Sequence, residues 1–468
     1  MPRRSSSPIV VVAAWSVTTT MALLVLWQWS VVRAVREPQA APIAGAPTAA
    51  APATPLLSMR RAPGVLAWQL NGETFAEVLR PVVEAVGPGS CFAASIDGRR
   101  VAGVNETQPV IPASNQKVIV AAAALEVLGP DYVFTTTVTG ELGPDGVVAG
   151  DLALIGGGDP VLSTDDWLSS GSQRYPAINT TRLEDLADRV VAAGVTSVQG
   201  RIVGDASRYD DEWFIPSWDT DLHGLEAGPY DALLVDDADQ RAGADPAQAA
   251  ADTFTDLLEA RGVEVAYAPV SGVAVPAPVV ASVSSRPLTE VLQELLLTSD
   301  DNTAELLVKE LGVVRGGSGA TAAGLAVVSS QLASWGLALD GVVLVDGSGL
   351  SRSNLATCGL LLGVLERGAA SDPVGAGMAV AGTSGTLGDF FLGGPVDGRL
   401  QGKTGTLSDV KSLAGYLPAP DGSTIAFALI QNEPGIDDGA FQPLWEQLLA
   451  PALASYPSGP GVGELAPR

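Results

Sequence analysis

A chain of 468 residues that is 47% hydrophobic can bury a sizeable core and build two or three domains, or one large domain carrying an insertion. Its 52 acidic residues outweigh 26 basic ones, and the resulting net charge of −26 excludes nucleic acid as a partner and disfavours electrostatic adhesion to an anionic membrane. The single histidine, His223, rules out a poly-histidine metal site, and with no nucleophile signature near it, a structural or surface role is expected.

Residues 9–32 form an uncharged apolar stretch behind Arg3 and Arg4, long enough to span a bilayer. No small-x-small cleavage site follows at once, so residues 1–33 read as a cytoplasmic tip and signal anchor, with cleavage and secretion as the alternative. Residues 34–60 are an Ala/Pro-rich linker, and a Pro/Gly tail occupies 456–468. Within the globular part, residues 91–97 and 101–104 suggest a hairpin around Gly98. Residues 113–128 read as a buried helix stopped by Gly129-Pro130, and short alternating segments over 134–155 indicate strands. A helix is expected over 183–193, a strand over 200–205 and a helix over 246–261. Two more helices follow at 287–297 and 302–312, then adjacent strands at 411–417, with the strand reading reaching back to 406, and at 423–430, and a closing helix at 441–453. Cys91 and Cys358 lie in apolar surroundings and read more readily as unpaired core thiols than as one extracellular disulfide.

Lysine occurs only four times, at Lys117, Lys309, Lys403 and Lys411, while arginine supplies the rest of the positive charge. A lysine kept in a motif of such a chain points to an amine that must be able to lose its proton, which guanidinium cannot do. Ser114 and Lys117 are three apart and share a helix face, so a neutral Lys117 amine could take the Ser114 proton, with Lys403 as the nearby cation that favours the neutral form. Ser408 and Lys411 repeat the spacing, but on an expected strand, where residues three apart face opposite sides. Ser299-Asp300-Asp301-Asn302 follows an apolar segment and could relay a proton, hold a substrate amide, or cap the next helix. In Lys403-Thr404-Gly405-Thr406, lysine and threonine could bind a carboxylate while Gly405 lets a ligand backbone approach. The order S-x-x-K, Ser/Asn loop, K-T-G is the motif series of penicillin-recognising serine enzymes.

With PASNQKVIVAAAALEVLGPDYVFTTTV, DLALIGGGDPVLS, TSDDNTAELLVKELG, VDGSGLSRSN and GRLQGKTGTLSDVKSLAGYL, over roughly residues 85–435, the chain resembles the D-alanyl-D-alanine carboxypeptidase/endopeptidases of the low-molecular-mass class C penicillin-binding proteins, serine peptidase family S13. The resemblance implies an α+β fold, in which residues 61–137 and 286–455 form a transpeptidase-like antiparallel sheet flanked by helices and 138–285 a β-rich insertion. It implies that Ser114 is acylated with Lys117 as its base, that Ser299 carries the proton to the leaving amine, and that Lys403, Thr404 and Thr406 hold the substrate carboxylate. The backbone N–H groups of Ser114 and Thr406 would form the oxyanion hole. The substrate would be peptidoglycan stem peptides, with β-lactams as covalent inhibitors and no cofactor or metal. An acidic group of the insertion would meet the stem-peptide amine, and Asp219 or Asp221 is the nearest match. One departure stands out: where the family has Ser-x-Asn, register on Ala304-Glu305 puts Asp301, with Asn302 one step later. Either Asn302 serves after a small loop shift, or a carboxylate replaces the amide, favours the charged forms of the neighbouring amines and slows the reaction or moves its pH optimum. A penicillin hydrolase would need a deacylating base, and no Glu-x-x-Leu-Asn-type loop lies between the motifs. The alternative is a non-catalytic cell-wall-binding protein on the same fold.

Overall fold

The computed structural model describes residues 19–31, 62–171, 173, 175–237 and 245–465, divided into a unit up to Ala62 and a second from Pro63 onward. The first unit is described as an apolar, fully exposed helix, Thr19–Val31. At 1.5 Å per residue it spans about 20 Å, less than the ~30 Å of a hydrocarbon core. Among the described residues no single helix is long and apolar enough to cross a membrane. The rest of the expected 9–32 span and the 34–60 linker lie outside the described residues.

The second unit is built on an antiparallel sheet in the order Ala379–Val380, Gln401–Leu407, Val410–Pro418, Thr424–Asn432, Cys91–Ile96, Arg99–Val104. All of Cys91–Ile96 is buried, because helices cover both faces and the strand need not alternate in polarity. The pleat divides the side chains between two layers, with four alanines on the first. Ala93, Ala414, Ala426 and Ala428 face the layer formed by helices Gln116–Leu128, Leu288–Thr298, Asp301–Leu311, Thr321–Ser334 and Cys358–Leu365. Phe92, Leu413, Phe427 and Leu429 face Ala62–Ala85 and the C-terminal helices, where Phe75, Leu79, Phe441 and Trp445 meet them. Small residues on the first face bring its helices, which carry the site, close to the sheet.

Between these segments the chain forms a second core. Its five-stranded mixed sheet runs Val270–Ser271, Ile202–Asp205, Leu152–Ile155, Thr135–Thr139, Val279–Ser284, and Leu183–Ala192 and Pro246–Glu259 pack against it. Thr135–Thr139 straddles the expected boundary at residue 138. Lys309, fully buried, donates to Asp210 Oδ1 at 2.7 Å and to the Glu212 carbonyl at 2.7 Å. Glu310, also buried, accepts from Arg208 Nε and Tyr209 Oη, both at 2.8 Å. Those two neighbours tie the insertion to helix Asp301–Leu311.

The structure corrects the sequence reading in several places. Cys91 and Cys358 form a disulfide, with the strand and the helix start bringing their Cα atoms to 5.8 Å. The expected strand 411–417 is found as Val410–Pro418, but its extension back to 406 belongs to a separate strand, since Leu407 pairs with Val410 across the turn Ser408-Asp409, where Asp409 takes φ 64°. The start of the tail is held: Gly459 N donates to Asn71 Oδ1 at 2.6 Å. Helices Ala62–Ala85 and Thr321–Ser334 had no counterpart among the expected elements.

Candidate active site

Ser114 lies in a 3-10 turn, Ala113–Asn115, that leads into helix Gln116–Leu128. Ala113 sits at φ 49°, a left-handed conformation that costs an alanine roughly 1–2 kcal/mol. The surroundings fix it there. Ser412 Oγ donates to the Pro112 carbonyl at 2.8 Å and accepts from Asn115 Nδ2 at 2.7 Å. Gly349 presses on the same turn, where a Cβ would stand 2.0 Å from the Ala113 carbonyl oxygen. Strain held by several contacts is a common way to present a reactive side chain.

One helical turn on, the buried Lys117 amine reaches Ser114 Oγ at 3.1 Å, Asp301 Oδ1 at 2.6 Å and the Ser348 carbonyl at 2.7 Å. The third partner was not singled out from sequence. Ser348 belongs to Asp346-Gly347-Ser348-Gly349, shaped by two buried carboxyls. Glu305 accepts from Gly347 N and Ser348 N, the latter at 2.7 Å, while Asp346 accepts from Gly349 N at 2.8 Å and Trp218 Nε1 at 2.8 Å. Burial first, and then Asp346, pushes the Glu305 carboxyl up to about 8. The loop lies in VDGSGLSRSN, one of the segments that carry the family resemblance, but the sequence alone assigns no role to its residues.

Ser299 ends helix Leu288–Thr298 in the left-handed region, φ 70°, and Asp300 caps helix Asp301–Leu311 by accepting from Thr303 N. This junction turns Ser299 and Asp301 toward the two lysines. Lys403 Nζ lies 2.8 Å from Ser299 Oγ and 2.8 Å from the Thr404 carbonyl. Burial and the Lys117 charge hold the Lys403 amine well below the usual lysine range, outweighing the opposing pull of Asp301. The Asp301 carboxylate thus favours the charged form of Lys403, as expected, but burial and Lys117 outweigh it. Asp301 is itself pushed up to about 6 by burial, against the opposing effect of Lys117. Asn302 is engaged elsewhere, its Nδ2 donating to Asp237 Oδ1 at 2.6 Å. The carboxylate of Asp301 occupies the place where the family pattern has an amide.

Gln401–Leu407 pairs along its whole length with Val410–Pro418, but on its other side only Gln401 and Gly402 are paired, with Ala379–Val380. Beyond Gly402 that edge has no strand partner among the described residues. The pleat sends Lys403 and Gly405 one way and Thr404 and Thr406 the other, with Thr406 exposed and Thr404 half-buried. Gly405 faces the Ser114 turn and not an open ligand space, so its missing side chain admits the nucleophile's own backbone. Asp219 and Asp221 are exposed and reach none of Ser114, Lys117, Ser299 or Lys403. Their segment is anchored nearby through Trp218 on Asp346 and the 2.7 Å contact of Ser217 with Ser351. Ser408 lies in the hairpin turn and Lys411 packs over the Phe441 ring at 4.7 Å, away from the site. His223 stacks on Phe214 at 4.2 Å, a structural role.

A serine next to a strained alanine, with a lysine beside it, and a second buried lysine held by a serine from another helix, is the constellation of an active-serine acyl-transfer enzyme. The chain belongs to the D-Ala-D-Ala carboxypeptidase 3 (S13) family, whose model matches residues 91–242 and 237–447. It is 30% identical over 460 residues to a D-alanyl-D-alanine carboxypeptidase of Actinomadura sp., covering 79% of this chain and 82% of that one. It is 33% identical over 354 residues to carboxypeptidase DacB of Mycolicibacterium smegmatis, covering 70% and 72%. Its fold is similar to penicillin binding protein 4 of Haemophilus influenzae, with TM-score 0.67 at 20% identity over 79% of this chain and 98% of that one. The same protein solved as a complex with a β-lactam matches with TM-score 0.62 at 20% identity, covering 80% and 99%.

Proposed function

We propose that this chain is a serine D-Ala-D-Ala carboxypeptidase that acts on peptidoglycan stem peptides through an acyl-Ser114 intermediate. The observation that carries the reading is the pairing of Ser114 Oγ with Lys117 Nζ at 3.1 Å beside the Ser299–Lys403 pair at 2.8 Å. Ser114 Oγ attacks the carbonyl carbon of the penultimate D-alanine and loses its proton toward Lys117. The amide N–H groups of Ser114 and Thr406 receive the developing oxyanion. The Ser299 hydroxyl, held by Lys403, passes a proton to the departing amine, and water then releases the acyl group. Thr404 and Thr406 on the strand, with Lys403, suit the substrate's terminal carboxylate. The unpaired edge beyond Gly402 lets an extended peptide lie along the strand, which also suits cross-link cleavage by the same chemistry.

An extracytoplasmic position, with the apolar segment 9–32 holding the chain to the membrane, is part of the same proposal. It is supported by that segment's length and by the Cys91–Cys358 disulfide, which suits an oxidising compartment. Asp219 and Asp221 remain the proposed partners of a stem-peptide amine, on the strength of their exposure beside the Trp218 anchor.

The test is intact mass of the protein after exposure to benzylpenicillin, beside release of D-alanine from a stem pentapeptide. One adduct on the wild type, absent in Ser114→Ala, together with D-alanine release lost in the same variant, is the expected result. A folded wild type that takes no adduct and releases no D-alanine leaves a non-catalytic wall-binding protein as the better reading.

A further inference from the structure

Lys117 carries an unusual set of partners. An ammonium has three hydrogens and no acceptor, and its three neighbours here are Ser114 Oγ, the Ser348 carbonyl and Asp301 Oδ1. All three can accept, so the amine at rest is arranged as a donor to each and offers no lone pair to the Ser114 hydroxyl. For Lys117 to take the Ser114 proton, one of its own must leave. The Ser348 carbonyl cannot take it, and Ser114 is the group being deprotonated. Asp301 Oδ1, at 2.6 Å, is the one partner that can.

We propose that Asp301 is the terminal proton acceptor of acylation: as Ser114 Oγ attacks the carbonyl carbon, its proton passes to Lys117 while Lys117 passes one of its own to Asp301 Oδ1. The relay rests on the acyl-Ser114 reading above and makes Lys117 a carrier that stays cationic throughout. The step balances: the Oγ–C bond forms, the C–N bond breaks, and the proton held on Asp301 returns through Lys117 and across the Ser299 hydroxyl to the departing nitrogen. The site ends acylation with the charge it began with.

The surroundings of Asp301 suit the task. Its side chain is one-tenth exposed, and the charges that face it are Lys117 from the serine helix, Lys403 from the strand, Asp300 beside it and Glu226 from the insertion. Burial and the two acids favour the neutral carboxyl, Lys117 opposes them, and the balance near 6 makes both protonation states accessible close to neutrality. An asparagine in this place could hold a substrate amide but could not take a proton. The exchange of amide for carboxylate therefore changes the route of the proton while leaving the rest of the constellation in place.

The experiment is the rate of benzylpenicillin acylation from about pH 5 to about pH 9 for wild type, Asp301→Asn and Asp301→Glu, each checked for a folded circular dichroism spectrum. In the wild type the rate falls as pH drops through about 6, where Asp301 gains its proton, and is level above that. In Asp301→Asn the inflection near 6 is lost, and with no carboxylate to take the proton the rate at neutral pH is lower by about tenfold. Asp301→Glu, which keeps a carboxyl, keeps the acid inflection. An Asp301→Asn profile that coincides with the wild type, or that is faster throughout, overturns the relay while leaving the enzyme assignment standing. A wild type with no adduct at any pH overturns both.

Discussion

A methyl group on Gly405 would place a carbon 2.3 Å from the Ser412 hydroxyl and 3.0 Å from the Ser114 amide nitrogen. The first holds the strained Ser114 turn and the second is part of it, so Gly405→Ala must push the strand away from the nucleophile. Displacements of about 1 Å near reacting groups cost on the order of a hundredfold in rate. We expect Gly405→Ala to lose about that much in acylation by benzylpenicillin, with little change in thermal midpoint, as measured by stopped-flow and calorimetry. Wild-type rates in this variant would mean the strand has room the geometry does not show. At this scale the sequence singled out Ser114, Lys117, Ser299 and Lys403, which the fold brings into two contacting pairs, because side-chain type and spacing are legible in it. It could not reveal the Ser348 carbonyl, since every residue has one and only the folded loop aims it. It also could not choose between Asp301 and Asn302, a one-residue ambiguity resolved by the left-handed Ser299 and the Asp300 cap.

Helix Asp301–Leu311 is buried along its whole length although it carries Asp301, Glu305, Lys309 and Glu310. Asp301 and Glu305 stand four apart on one face, the first touching Lys117 directly and the second shaping the loop whose carbonyl Lys117 meets. Glu305 has a consequence for stability. Its folded-state pKa, about 8, lies above that of an unfolded glutamate, so the fold favours the protonated form. The contribution is complete below the unfolded value and is lost as pH rises through about 8. Asp301, Asp159 and Asp231 behave alike but titrate near 6, while the depressed Lys403 amine contributes a slope of opposite sign at higher pH, so the Glu305 share is read against its variant. We expect the unfolding free energy of the wild type, relative to Glu305→Gln in urea titrations, to fall by on the order of 2 kcal/mol between about pH 6.5 and about pH 8. An unchanged slope in the variant would assign it to another group. The helix itself was legible from its apolar spacing. Its neighbour Thr321–Ser334 was not, because Ala, Ser and Gly give little contrast between faces. That composition has a packing reason: a Cβ on Gly324 would stand 1.8 Å from the Val308 carbonyl oxygen, so only glycine permits the close crossing of the two helices.

On the scale of the whole molecule, the Cys91–Cys358 bridge joins a central strand to a flanking helix across 267 residues of sequence. A loop of that length removes chain entropy worth about 5 kcal/mol from the unfolded state, although measured gains are often smaller. Reduction by dithiothreitol should lower the urea midpoint while leaving acylation at low denaturant intact, since neither sulfur contacts the site; an unshifted midpoint would show that the bridge adds nothing. Composition placed both cysteines in the core but carried no sign of their separation, which depends on strands paired across most of the chain. Cys91–Ile96 lies in register with Thr424–Asn432, Cys91 opposite Ile430, so the middle of the main sheet waits for nearly the last strand to be made. The strands of the insertion, from Thr135 to Ser284, find all their partners within that span. During synthesis the insertion is therefore free to fold while the core remains open, and long-range pairing closes last. Ser114 leaves the ribosome early, with neither Ser412 nor Lys403 yet in existence beside it. The nascent chain thus carries its nucleophile unarmed until its final strands arrive.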